Sequence, residues 1–199
     1  LLVLIQGKGA LDVSILNLNP AERRIRQVPL PSPLGGPTAG LAGALLAPLE
    51  VGQIFPVNPF TGEKQAEPFQ LSVQPGIRSV WQRPVVLSPT ELLVTDGRHW
   101  LHRLILQEAP RPALIAEGSA ELATPIVSQL AVAGGVAFAV GADGKLHSFV
   151  LPQLQAGASS PLPGRCVWGP WSVGDRVLLA SAETLVAVGN DPKSLWQVP

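Results

Sequence analysis

The sequence predicts an all-β fold: a β-propeller of four-stranded antiparallel blades, about five of them present. Three observations carry this. First, the 199 residues include 20 glycines and 21 prolines, about a fifth of the chain against the usual ~12%. So many breakers leave room for short strands and turns, not for long helices. Second, 46% of the chain is hydrophobic and only 14% is charged, where ~25% charged is ordinary. That is ample apolar material for a core and unlike a charge-rich disordered chain. Third, one grammar recurs with a period near 45 residues, the length of a propeller blade.

The clearest unit runs Thr124-Pro125-Ile126-Val127, then Gly135 to Val140, then Ala142-Asp143-Gly144-Lys145 and on to Phe149. The unit before it runs Arg83-Pro84-Val85-Val86, then Glu91 to Thr95, then Asp96-Gly97-Arg98-His99-Trp100-Leu101. The unit after it runs Gly169-Pro170-Trp171 to Val173, then Asp175 to Ala180, then Glu183 to Val188. A looser copy starts at Pro37 and continues through Gly43 to Ala47 and Val51 to Val57. Proline can open an inner strand because its missing N–H costs nothing at a first position. The Asp-Gly pairs supply positive φ for tight reversals. Continuous apolar middle strands suit sheets covered on both faces, so neighbouring blades are expected to stack. Outer strands are expected at Lys64 to Phe69 and Leu195 to Val198. The first 35 residues fit as second, third and fourth strands, with Gly7-Lys8-Gly9 as the hairpin and the inner strand missing. The unit boundaries fall near 1–35, 36–75, 76–117, 118–160 and 161–199. The missing strand suggests an arc of a larger ring, or a five-bladed ring closed imperfectly.

The units resemble the repeats of the pyrroloquinoline-quinone-like propellers. Those repeats read Pro-Val-Val, Gly-x-Val-Tyr-Val-Gly, Asp-Gly-x-Leu-x-Ala-Leu and Thr-Gly-x-x-x-Trp. Pro125 to Phe149 matches the first three parts. Asn58-Pro59-Phe60-Thr61-Gly62-Glu63-Lys64 resembles the Thr-Gly turn, and Asp191 to Trp196 resembles its end. The aromatic after the Thr-Gly turn is missing in most units, and Trp196 is the best match. The resemblance implies a fold rather than an activity. The group includes quinoprotein alcohol dehydrogenases and an outer-membrane assembly lipoprotein, so the resemblance also implies an extracytoplasmic, periplasmic location.

The chemistry of a dehydrogenase is not legible. Calcium needs several converging oxygen ligands, yet the carboxylates are scattered singly. One cysteine, Cys166, excludes an adjacent cysteine pair, an intrachain disulfide and a CxxC metal site; it reads as a buried thiol. His99 and His102 fall on opposite faces of a strand, which argues against a shared metal ion. His147 reads as a hydrogen-bonded sheet residue. No cofactor or metal is expected. With 14 basic and 14 acidic residues the net charge is zero, so no nucleic acid is implied; Arg23, Arg24 and Arg26 read as a solvated turn or strand. Leu122 to Ala142 is uncharged and long enough to span a bilayer, but its proline, its polar pairs and Gly134-Gly135 break it into strands. The chain starts Leu1-Leu2-Val3 and has no methionine, so Leu1 is not expected to be the natural start, and a signal or anchor could lie upstream.

The reading is therefore a non-catalytic scaffold or protein-interaction module with a protein partner. The alternatives are a fragment of a quinone-dependent dehydrogenase and a sensor domain of a larger signalling protein. The candidate interaction residues lie at the hairpins, where propellers meet ligands: Lys8, Glu50, Arg98, His99, Asp143, Lys145 and Glu183. Trp100 beside the Asp96–His99 hairpin joins them. The five tryptophans at 81, 100, 168, 171 and 196 are otherwise expected to fill gaps between blades.

Overall fold

A computed structural model describes residues 2–6, 11–17, 25–72, 76–189 and 195–198. Among them every regular element is a strand. They form one three-stranded and four four-stranded antiparallel sheets, each built from strands adjacent in sequence. This is the β-propeller blade arrangement. The first sheet is β1 (Leu2–Ile5), β2 (Asp12–Asn17) and β3 (Ile25–Pro29); the second is β4 (Ala39–Leu41), β5 (Ala44–Pro48), β6 (Gln53–Val57) and β7 (Phe69–Gln70). The third is β8 (Val85–Ser88), β9 (Glu91–Thr95), β10 (Trp100–Gln107) and β11 (Ala113–Glu121). The fourth is β12 (Ala131–Ala133), β13 (Val136–Val140), β14 (Lys145–Val150) and β15 (Gln155–Pro161); the fifth is β16 (Cys166–Val173), β17 (Arg176–Ser181), β18 (Leu185–Val188) and β19 (Leu195–Val198). Among the described residues the first sheet holds three strands. Leu122 to Ala142 is broken into strand and turn, and no helix among the described residues is long and apolar enough to cross a membrane.

The contacts divide into two compact units. One comprises residues up to Val80 with Leu106–Ile115; the other comprises Trp81–Ile105 with Ala116 onward. In the first unit, Val13, Ile15, Val28 and Leu30 pack against Leu45, Ala47, Leu49 and Val57, face to face between the first two sheets. In the second unit, Ala137, Ala139 and Phe149 turn one way, onto Leu93, Leu101 and Ile126. Phe138, Val140 and Leu146 turn the other way, onto Val177, Leu179, Val186 and Val188. Because β-strand side chains alternate between faces, an apolar run such as Val136-Ala137-Phe138-Ala139-Val140 must be covered on both sides.

The turns carry the expected chemistry. Gly97 and Gly144 sit at φ 70° and 74°, and Gly134 and Gly135 both sit at positive φ between β12 and β13. Asn58 Oδ1 accepts from Phe60 N and Thr61 N in the turn that ends at Gly62. Two strand expectations need correction. Lys64 makes only an isolated bridge to Val57, and the outer strand is the short Phe69–Gln70. The inner strand of the fourth sheet is Ala131–Ala133, while Ile126 bridges Gly141 alone.

The prolines also need a different register. Pro33 O accepts from Glu50 N, and Pro125 O accepts from Ala142 N. Leu34 bridges Leu49 as Ile126 bridges Gly141. Pro33 is thus the counterpart of Pro125, and Pro37 is not. In the third sheet Gln82 N donates to Thr95 O, the bond Val127 N makes to Val140 O. Val80 therefore stands where Pro125 stands, and Pro84 lies further along. The side chain one residue later is buried at Trp81 and Ile126 and half-buried at Leu34, and any residue with a free carbonyl can precede it.

Candidate functional site

The predicted site residues that are described lie in, or start the strand just after, the turn between second and third strands. Glu50 lies between β5 and β6 in the first unit, 3.5 Å from the Arg78 guanidinium. In the second unit Arg98 and His99 lie between β9 and β10, Asp143 between β13 and β14, and Glu183, exposed, between β17 and β18. Lys145 is the first residue of β14 and Trp100 the first of β10. Lys8 lies outside the described residues, as do Arg23 and Arg24.

One strap fixes the first two turns of the second unit. Leu122 N donates to His99 O at 2.8 Å, and Ile126 N donates to Arg98 O at 2.6 Å. On its other side the strap bonds the fourth sheet, where Ala142 N donates to Pro125 O and Val127 N to Val140 O. The His99 Nδ1–H donates to Leu122 O at 2.9 Å. The strap holds because Leu122 and Ile126 are buried at 4% and 1% exposure. Leu162 N then donates to Gly144 O on the approach to the fifth sheet. In the first unit, Ser79 N likewise donates to Glu50 O. Each of these turns thus accepts from the segment leading to the next sheet.

Side chains in the turns pair locally. Asp96 Oδ1 accepts from Arg98 N, and the Arg98 Nε lies 4.0 Å from Asp96 Oδ2. Asp143 accepts from His147 Nε2–H at 3.1 Å and from Lys145 N at 3.2 Å. Burial pushes the Asp143 carboxyl up, but the His147 bond, the Lys145 backbone bond and the electrostatic pull of His147 and Lys145 together outweigh it and lower it. Gly141 makes this cluster possible: a Cβ there would stand 2.5 Å from Asp143 Oδ1, 2.6 Å from Thr124 Cγ2 and 2.9 Å from His147 Nε2. His147 is thus hydrogen-bonded, as expected.

His99 borders a shallow depression of about 500 Å³ with Glu121, Leu122 and Ala123. Glu121 is a site residue that the sequence does not single out. It ends β11, and only the return of the strap to His99 puts it there. Asp96 is missed for a different reason, since its role in the Asp-Gly turn hides its bond to Arg98. His102 does not share the depression. It is buried, its Nδ1 lies 2.7 Å from Ser119 Oγ in a hydrogen bond, and Trp100 stacks on it with ring centroids 6.0 Å apart. Desolvation lowers its pKa, against a smaller opposite pull from Asp96. Among the described residues, no three of His, Cys, Asp and Glu stand grouped to hold a metal ion. Cys166 is half-buried, its S–H donates to Trp168 O, and burial raises its pKa.

The tryptophans depart from expectation. Trp81 is buried, but Trp100, Trp168, Trp171 and Trp196 are all at least 40% exposed. Trp100 covers His102 at a strand start, and the last three belong to the fifth sheet.

No protein-family model matches the chain, and no curated protein sequence matches it. Among solved structures, the chain is similar to BamB from Moraxella catarrhalis, with a TM-score of 0.73 at 16% identity over the whole of this chain. That likeness supports the propeller fold. The chain spans 61% of the length of that neighbour.

Proposed function

We propose that this chain is a non-catalytic propeller scaffold that binds another protein through the turns between second and third strands, outside the cytoplasm. The observation that carries this reading is the strap at residues 122–127. It fixes the turns at Arg98–His99 and Asp143–Lys145 by backbone hydrogen bonds on both sides. Polar side chains on a rigid frame suit recognition, because little ordering is left to be lost on binding. Arg98, Lys145, Asp143, Glu121 and Glu183 give both signs of charge at these turns, which favours a polar protein surface over a polyanion. The BamB-like fold is consistent with an assembly role and an envelope location.

The test is a photo-crosslinker placed at positions 98, 145 and 183 of the full-length protein in its native cells. The crosslinked partner is then purified and its affinity measured. Arg98→Glu and Lys145→Glu are expected to weaken that affinity about tenfold or more, with Glu108→Lys as a control outside these turns. Unchanged affinity in both reversals refutes the placement. Stoichiometric binding of pyrroloquinoline quinone with calcium would instead favour the dehydrogenase alternative.

A further inference from the structure

The third and fourth sheets each carry a histidine on the third strand and a serine across from it on the fourth. Thr95 O and Val140 O accept matching bonds from Gln82 N and Val127 N. Thr95 pairs with Leu101 as Val140 pairs with Leu146. His102 of β10 is thus the counterpart of His147 of β14. Ser119 of β11 bonds His102, and Ser159 of β15 pairs with His147 in register. Both serines are exposed.

The two rings are used differently. His147 gives its Nε2–H to Asp143. By the same register Arg98 stands where Asp143 stands, and Asp96 where Gly141 stands. A guanidinium cannot accept a bond from the ring, and His102 turns its Nδ1 to Ser119 Oγ, 2.7 Å away. Desolvation holds His102 neutral, while Asp96 pulls more weakly toward the protonated ring. A neutral imidazole can take a proton, and a nearby carboxylate stabilises the imidazolium that results. Trp100 stacks on the ring, 6.0 Å between centroids and 9° between planes, which fixes its plane and shields one side from water. An exposed hydroxyl bonded to an oriented, desolvated imidazole is the arrangement that activates a serine.

We infer that Ser119 is a nucleophilic serine, with His102 as its base, that accepts one acyl group from an activated ester or thioester. Ser119 Oγ forms a bond to the acyl carbon, and its proton goes to His102 Nδ1. The bond from that carbon to the alkoxide or thiolate breaks, and the leaving group departs with the electron pair. His102 then gives the proton to the leaving group, and nothing is oxidised or reduced. Glu117 and Glu121 stand two residues to either side of Ser119 in β11, so an uncharged donor is favoured over an acyl phosphate. The exposed Trp100 ring beside the pair offers an apolar surface to the acyl group. The uptake is stoichiometric, so Ser119 is a modification site on the module, separate in chemistry from its partner-binding turns.

The test treats the full-length native protein with a rhodamine-linked fluorophosphonate, a reagent for activated serines, and maps the label by peptide mass spectrometry. Ser119 is expected to label about tenfold or more faster than Ser159, which is exposed but faces a ring already bonded to Asp143. The Ser119 label is expected to be lost in urea and in Ser119→Ala. In His102→Gln, with its fold checked by circular dichroism, labelling is expected to slow about tenfold or more. Should that variant not fold, the Ser159 and urea comparisons decide, because they need no substitution. p-Nitrophenyl acetate, an uncharged activated ester, is expected to leave an acetyl group on the same serine. Equal labelling of Ser119 and Ser159, labelling that survives urea, an undiminished rate in folded His102→Gln, or no acetyl group on Ser119 each overturns the inference.

Discussion

Phe138 offers the sharpest test of how the sheets hold together. Its ring is fully buried between the fourth and fifth sheets, among Val140, Leu146, Val177 and Leu179. Its cross-strand partners are the small Ala131 and Ser148. Phe138→Ala therefore removes the one large side chain in its row, and neither small partner can expand into the space. The lost ring leaves roughly 100 Å³, and about 24 cal/mol per Å³ of cavity gives about 2.4 kcal/mol. The lost transfer energy adds about 2 kcal/mol. The sum sits inside the ~3–5 kcal/mol range for such substitutions, a large part of a typical ~5–15 kcal/mol stability. Urea unfolding followed by circular dichroism measures it, with the m-value checked for two-state behaviour. Phe60→Ala is the control, because Phe60 is 57% exposed in a turn, and a change within about 0.5 kcal/mol is expected there. A loss below about 1.5 kcal/mol for Phe138→Ala would refute the close face-to-face packing of these sheets.

Other outcomes follow from the same geometry. Gly35→Ala places a Cβ 2.5 Å from Ser79 O and 3.1 Å from Glu50 N, so backbone must move; a loss of about 1–3 kcal/mol in urea unfolding is expected, and a neutral result contradicts that close approach. His102 has a lowered pKa because burial disfavours its charged form. The unfolded state then binds the proton first, so stability is full above about 6.5 and declines as pH falls through and below that value; an NMR midpoint for His102 above the ordinary histidine value would overturn this. For Asp143 the lowered pKa has the same sign at a lower pH: its contribution is present above the ordinary carboxylate value and is lost as acid carries the pH down through the folded value, and His147→Ala should move its NMR titration upward. Cys166 should react with a disulfide reagent more slowly in the native protein than in urea, because burial raises its pKa; equal rates would show an open thiol.

Much of the fold can be read before any coordinates are known. The Asp96-Gly97 and Asp143-Gly144 turns and the apolar Val136–Val140 strand follow from local chemistry. Turn glycines need positive φ, and a run without alternation needs cover on both faces. The register of the entry segments is different. Pro33 and Pro125 each accept one main-chain N–H, Val80 holds the matching place two residues before the Gln82–Thr95 bond, and a carbonyl is present in every residue. Composition therefore shows the period and misplaces the phase. The tryptophans are harder still. Trp81 is buried and Trp168 is half-exposed, although both are large apolar residues near strand starts, and only what packs on each face separates them.

The candidate site divides along the same line. Arg98, His99, Asp143 and Lys145 are visible in the sequence because turn glycines mark their neighbours. Glu121 becomes part of the site only when the strap returns to His99, and the Asp143–His147 pair needs the bare Cα of Gly141 beneath it. By itself the sequence determined the repeat, the blade architecture and the polar turns, because φ preferences and two-residue alternation act within a few residues. Tertiary structure alone decided which turns are stitched to the next sheet, which polar groups meet, and which tryptophans are buried. Those depend on contacts between segments some twenty to fifty residues apart, where the identity of one residue says little about its neighbour in space.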